Sequence, residues 1–87
     1  METKIIRRGF QIAVLDKGFV YVGDCEIADG WLKIENARNI RRWGTTLGDL
    51  ALDGPKENTI LDNTGVVNVP FHSVVSLIDT EKKKWNK

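Results

Sequence analysis

An 87-residue chain of 9.8 kDa has room for one domain and one modest core, so a second domain is excluded. With 41% hydrophobic and 29% charged residues it is too apolar for a disordered chain. The net charge of +1 is unevenly spread: residues 81–87 hold four lysines and one glutamate, leaving 9 basic against 11 acidic residues, a net of −2, elsewhere. That balance argues against a protein gripping long RNA or DNA mainly through phosphates, which calls for a basic face.

No stretch approaches the roughly 18 apolar residues of a membrane span, and Met1-Glu2-Thr3-Lys4 lacks the apolar centre of a signal peptide. A cytoplasmic protein is expected. The single Cys25 cannot close an internal disulfide, and with the lone His72 it cannot furnish a structural zinc site, so neither metal nor cofactor is expected. A chain this short buries only about 60–65% of its unfolded surface, which favours self-association.

The first predicted strand covers residues 11–15, and Asp16-Lys17-Gly18 follows as a turn. Residues 19–24 alternate, with Phe19 and Tyr21 on one face and Val20 and Val22 on the other, completing a hairpin. Gly23 predicts a bend or bulge, as a small barrel needs in order to curl, and residues 25–28 continue the strand. Asp29-Gly30 is the strongest two-residue hairpin signal in the chain. Next come residues 31–35, with Leu32 and Ile34 facing one way and Trp31, Lys33 and Glu35 the other. The polar stretch 37–43 reads as an edge strand or a ligand-facing wall.

Residues 44–55 form a Gly-rich loop with one helical turn at 47–52, packed down through Leu47, Leu50, Ala51 and Leu52. Residues 59–61 and 66–69 are predicted strands flanking a hairpin turn at Asp62-Asn63-Thr64-Gly65, and Pro70 ends the second. Residues 74–78 make the last strand. Domain 1–80 is thus all-β, a small barrel or sandwich of about five to six strands, and 81–87 is a basic solvated tail.

The inventory for catalysis is thin. His72 sits at a strand break, Cys25 lies in a strand pattern where a thiol behaves as a small hydrophobe, and Asp16, Asp29, Asp53 and Asp62 are turn formers. The chain reads as a binding protein, not an enzyme. In Arg41-Arg42-Trp43-Gly44-Thr45-Thr46-Leu47-Gly48-Asp49-Leu50, two guanidiniums suit phosphate and an indole offers a stacking face. Gly44 and Gly48 let backbone N–H groups approach an anion, and Thr45 and Thr46 add hydroxyls. Arg41, Arg42, Trp43, Thr45 and Thr46 are the candidate ligand-binding residues. The spacing is neither a P-loop nor a dinucleotide fingerprint. The competing reading makes Trp43 a buried anchor of a tight loop, with both arginines solvated or paired to carboxylates. Lys82-Lys83-Lys84-Trp85-Asn86-Lys87 could attract nucleic acid but reads first as a solvated terminus. Tyr21, Trp31 and Arg8, from the Arg7-Arg8 pair, are the candidate subunit-interface residues. Pairing through an edge strand would also cap unpaired backbone groups.

Lys17-Gly18-Phe19-Val20-Tyr21-Val22-Gly23, then Trp31-Leu32-Lys33-Ile34-Glu35-Asn36-Ala37, and later Gly65-Val66-Val67-Asn68-Val69-Pro70 before Val74-Val75-Ser76-Leu77-Ile78, resemble the Sm-like barrel. The Arg-Gly or Lys-His signatures with which Sm rings hold RNA are missing. Trp43-Gly44-Thr45-Thr46, Leu50-Ala51-Leu52, Gly54-Pro55, Leu61-Asp62 and Val69-Pro70-Phe71-His72 resemble a family of small phage and prophage proteins. That resemblance implies an accessory protein of the infected bacterial cytoplasm. By analogy with compact phage proteins of similar size, it implies an oligomeric sponge for a cyclic dinucleotide or cyclic ADP-ribose variant, an anti-defence role. The alternatives are an Sm-like ring on single-stranded RNA, or a structural or host-inhibiting module docking through Tyr21, Trp31 and the loop.

Overall fold

The computed structural model describes residues 5–86, with side chains from Arg8 onward. Residues 1–4, the Arg7 side chain and Lys87 lie outside the described residues. The elements are β1 (Ile5–Leu15), β2 (Val20–Ala28), β3 (Trp31–Arg42), α1 (Leu47–Asp53), β4 (Ile60–Pro70) and β5 (Val74–Asp79). The five strands form one antiparallel sheet in the order β4-β3-β2-β1-β5.

The hairpins follow from local chemistry. Asp29 and Gly30 both take positive φ, 52° and 81°, the pair of left-handed residues a tight two-residue turn demands, and Ala28 meets Trp31 across it. At the β1–β2 turn Lys17 and Gly18 do the same, and the Leu15 N–H donates to the Phe19 carbonyl.

The three central strands β1, β2 and β3 bury residues on both faces of the sheet. The inner face gathers Ala13, Leu15, Cys25, Ile27, Leu32, Ile34, Ala37 and Val69. The outer face carries Ile12, Val20, Val22 and Ile40, covered by Leu50 and Ala51 of α1 and by Trp85. Strict alternation cannot keep these sets in place along β3 and β4, because the inward positions change from even to odd between Ile34 and Ala37. Matched bulges make the change. Ile34 pairs with Val67, Ala37 with Gly65 and Arg38 with Asn63, so β3 carries an extra residue before Ala37 and β4 an extra residue at Thr64. Asn36 and Gly65 take the positive φ that such bulges use. Gly23 lies opposite, at a register shift of β2 against β3, where a Cβ would come within 2.8 Å of both the Glu35 carbonyl oxygen and Ile34 Cγ2.

Four expectations need correction. Asp62-Asn63-Thr64-Gly65 is no hairpin turn but part of the continuous β4, its turn-forming residues serving the bulge. Residues 37–39 are not an edge, since there β3 lies between β2 and β4, and Ala37 and Ile40 are buried. Leu52 is 69% exposed and does not help hold the loop down.

The fourth concerns the tail, which is docked. Trp85 is 1% exposed, its Nε1–H donates to Thr80 Oγ1 at 2.9 Å, and its carbonyl accepts from Arg38 Nη2 at 2.9 Å. Thr80 Oγ1 in turn donates to the Ala51 carbonyl, and Lys84 Nζ to that of Leu52, tying the segment to α1. A Cβ on Gly54, whose φ is 81°, would run into the Lys84 carbonyl oxygen, so glycine permits this close approach. The lysines ride outside; the indole does the packing.

No described helix is long and apolar enough to cross a membrane.

Candidate functional site

The end of β3 and the start of α1 hold the five candidate ligand-binding residues. Thr46 is the N-cap of α1: its Oγ1 accepts from the Asp49 N–H at 3.1 Å, while Thr45 Oγ1 donates to Asp49 Oδ2 at 2.7 Å. Thr-x-x-Asp is a capping pattern, and the sequence carries it openly. Both threonines therefore build the loop. Arg41 Nε donates to Asp62 Oδ2 at 2.8 Å, a surface ion pair joining the ends of β3 and β4. Arg42, the next residue, is exposed and makes no ion pair or side-chain hydrogen bond among the described residues.

Trp43 is 40% exposed, so it is not a fully buried anchor, while Arg41 paired to Asp62 and Arg42 in solvent are arranged as the competing reading has them. The chain around it is fixed. Thr59 Oγ1 donates to the Trp43 carbonyl at 2.7 Å and accepts from the Lys56 N–H at 2.8 Å. Gly44, at φ 72°, passes so close to the segment before β4 that a Cβ would lie 2.6 Å from the Asn58 carbonyl carbon. The five residues thus separate into two groups. Arg42 and Trp43 are the accessible pair, consecutive residues at the head of a pinned loop, the guanidinium without a side-chain partner among the described residues and the indole 40% exposed. Arg41, Thr45 and Thr46 hold that loop in shape.

The interface candidates differ among themselves. Trp31 is 52% exposed, close to Phe71, whose N–H donates to the Gly30 carbonyl at 2.9 Å; Phe71 is also exposed. Tyr21 is half-buried and packs against the inner core. Arg8 is exposed and lies 4.0 Å from Glu26. On the chemical side, Cys25 is buried, and its Sγ lies 3.6 Å from the Gly23 carbonyl oxygen; His72 is exposed in a 3-10 turn between β4 and β5. No group of three or more His, Cys, Asp or Glu among the described residues is placed to hold a metal ion. The carboxyl of Glu81 is held below its ordinary range, chiefly by a hydrogen bond from Lys83 and then by the charge of Lys84.

Sequence reasoning missed Arg38, Asn63 and Asn36, which face a polar hollow beside the docked tail. Only the register across the two bulges brings Arg38 and Asn63 opposite each other, and no local motif signals it.

No protein-family model, curated protein or solved structure matches the chain.

Proposed function

We propose that this chain is a small-barrel binding protein of SH3/Sm-like form that captures a nucleotide-derived anion on Arg42 and Trp43. The observation carrying the proposal is that two consecutive residues, Arg42 without a side-chain partner among the described residues and Trp43 with a partly exposed indole, sit on a loop that hydrogen bonds and a crowded glycine hold in place. A guanidinium suits a phosphate and an indole face suits a base. The barrel form is supported by the strand order β4-β3-β2-β1-β5, by the register shifts along β2, β3 and β4 and by the 3-10 turn leading into β5.

Binding without turnover suffices for such a protein. In a phage-infected cell it would sequester a cyclic dinucleotide or a cyclic ADP-ribose variant, and a homo-oligomer would set several platforms side by side. β4 and β5 are the two edge strands, and pairing them between copies would cap their free backbone groups. The RNA-ring alternative loses one of its supports, because Trp85 is buried and cannot stack on a base.

Calorimetry of the folded chain against cyclic dinucleotides and cyclic ADP-ribose isomers tests the proposal. Saturable heat with one of them, abolished by Trp43→Ala and by Arg42→Glu, is the expected result. No heat with any member of the panel, in a folded protein, would overturn it.

A further inference from the structure

Beside the Trp85 plug the outer face of the sheet turns polar. Two hollows there, of about 430 and 500 Å³, share Arg38 and Asn63. The first is within the range of roughly 300–1,000 Å³ typical of small-molecule sites. It is lined by Phe10, Asp24, Asn36, Arg38, Asn63 and Lys82, with Asn86 at its margin.

The matched bulges turn Arg38 and Asn63 to the same face and pair them across β3 and β4. Half-buried Arg38 spends one Nη2 hydrogen bond on the Trp85 carbonyl, out of the five N–H donors a guanidinium carries. Asp24 Oδ2 accepts from Asn36 Nδ2 at 3.5 Å and pairs with Lys82 Nζ at 3.3 Å, holding an amide and an ammonium at the rim. Asn63 makes no side-chain hydrogen bond among the described residues and is exposed to the hollow.

The chemistry of this lining is specific in kind. Carboxamides both donate and accept, as hydroxyl groups do, so the asparagines match a polyol. A guanidinium with an ammonium across from it matches a phosphate. Phe10 adds an apolar surface for the ring of the ligand. We infer that this hollow is a second binding site, for a compact phosphorylated sugar. It is separate from the Arg42–Trp43 platform. Lys82 and Asn86 belong to the docked tail, and Arg38 holds the carbonyl of Trp85, so an occupied site also fastens the tail.

The test is an NMR titration of the full chain with ribose 5-phosphate and glucose 6-phosphate, with glucose and inorganic phosphate as separate arms. The expected result is movement of the side-chain amide signals of Asn36, Asn63 and Asn86, at lower concentrations of the sugar phosphates than of either fragment. Exchange of the Trp85 indole N–H should slow as the site fills. Asn63→Asp, which sets a carboxylate opposite Arg38, is expected to weaken binding at least tenfold without changing the melting temperature. Arg42→Glu should leave sugar-phosphate binding intact, so failure of the platform and failure of this site are read separately. Unmoved amide signals, inorganic phosphate binding as tightly as the sugar phosphates, or undiminished affinity in the Asn63→Asp protein would each overturn the inference.

Discussion

Replacing Trp85 by alanine should cost this protein a large part of its stability. The indole is 1% exposed against the outer core, with Leu50 and Ala51 of α1 and with Ile12, Val22 and Ile40 of the sheet. Truncating a buried tryptophan to alanine costs about 3–5 kcal/mol, through lost transfer energy and the cavity left behind. A domain of this size has only about 4–13 kcal/mol to lose, at about 0.05–0.15 kcal/mol per residue. At about 4–8 °C per kcal/mol for a small domain, the melting temperature should fall by roughly 12 °C or more. Urea unfolding followed by far-ultraviolet circular dichroism measures the change without relying on the deleted fluorophore. Truncation after Thr80 should produce a comparable loss, whereas replacing the exposed Lys82 and Lys83 together by serine should cost about 1 kcal/mol or less, as exposed ion pairs do. If Trp85→Ala stays within about 0.5 kcal/mol of the parent, the value typical of surface changes, the tail is solvated and the docked arrangement is wrong.

Gly23→Ala should destabilise by about 1–3 kcal/mol in the same unfolding assay, because the new Cβ meets backbone and a buried isoleucine, neither of which can yield cheaply. Trp43→Ala should cost far less stability than Trp85→Ala, since its indole is 40% exposed against 1%, while removing ligand binding; calorimetry and a melting curve on one sample separate the two effects. Glu81 should titrate below the ordinary carboxylate range in the folded chain, its charge favoured by Lys83 and Lys84. With the folded value depressed, the small contribution of these exposed pairs is present above the unfolded pKa and fades as pH falls through the folded one. An NMR titration of the Glu81 carboxyl checks the direction, and an unshifted value would contradict it.

Features that rest on local stereochemistry were legible in the sequence. Asp29-Gly30 specifies its turn by backbone conformation alone, Leu32 and Ile34 mark the inner face by alternation, and the short helix is announced by its cap and its apolar spacing. Gly23 was readable as a bend because a strand interior otherwise gains nothing from glycine. The Asp62–Gly65 stretch was not, since turns and bulges recruit the same residues and only the partner strand decides between them. Ile5–Phe10 were hidden as strand by Arg7, Arg8 and Gly9, which interrupt the apolar pattern. Trp85 was masked by three lysines on its N-terminal side. Its burial is set by a gap between α1 and the sheet, more than thirty residues away along the chain.

The candidate site was legible only as a segment. The sequence shows that two arginines, an indole and two threonines are neighbours along the chain. It does not show that Asp62 claims Arg41, because that partner is settled by strand pairing, whereas the engagement of Thr46 with Asp49 is a local capping pattern. The structure leaves Arg42 and Trp43 accessible and engages Arg41, Thr45 and Thr46 with neighbouring carboxylates or backbone.

The platform can be watched directly through the indole N–H signals of the full chain while each cyclic dinucleotide and cyclic ADP-ribose isomer is added. Binding as proposed should move the Trp43 indole and the Arg42 Nε–H together and leave the buried Trp85 indole in place. Binding that shifts Trp85 or Trp31 but not Trp43, or a complete panel that moves none of them, would contradict the account.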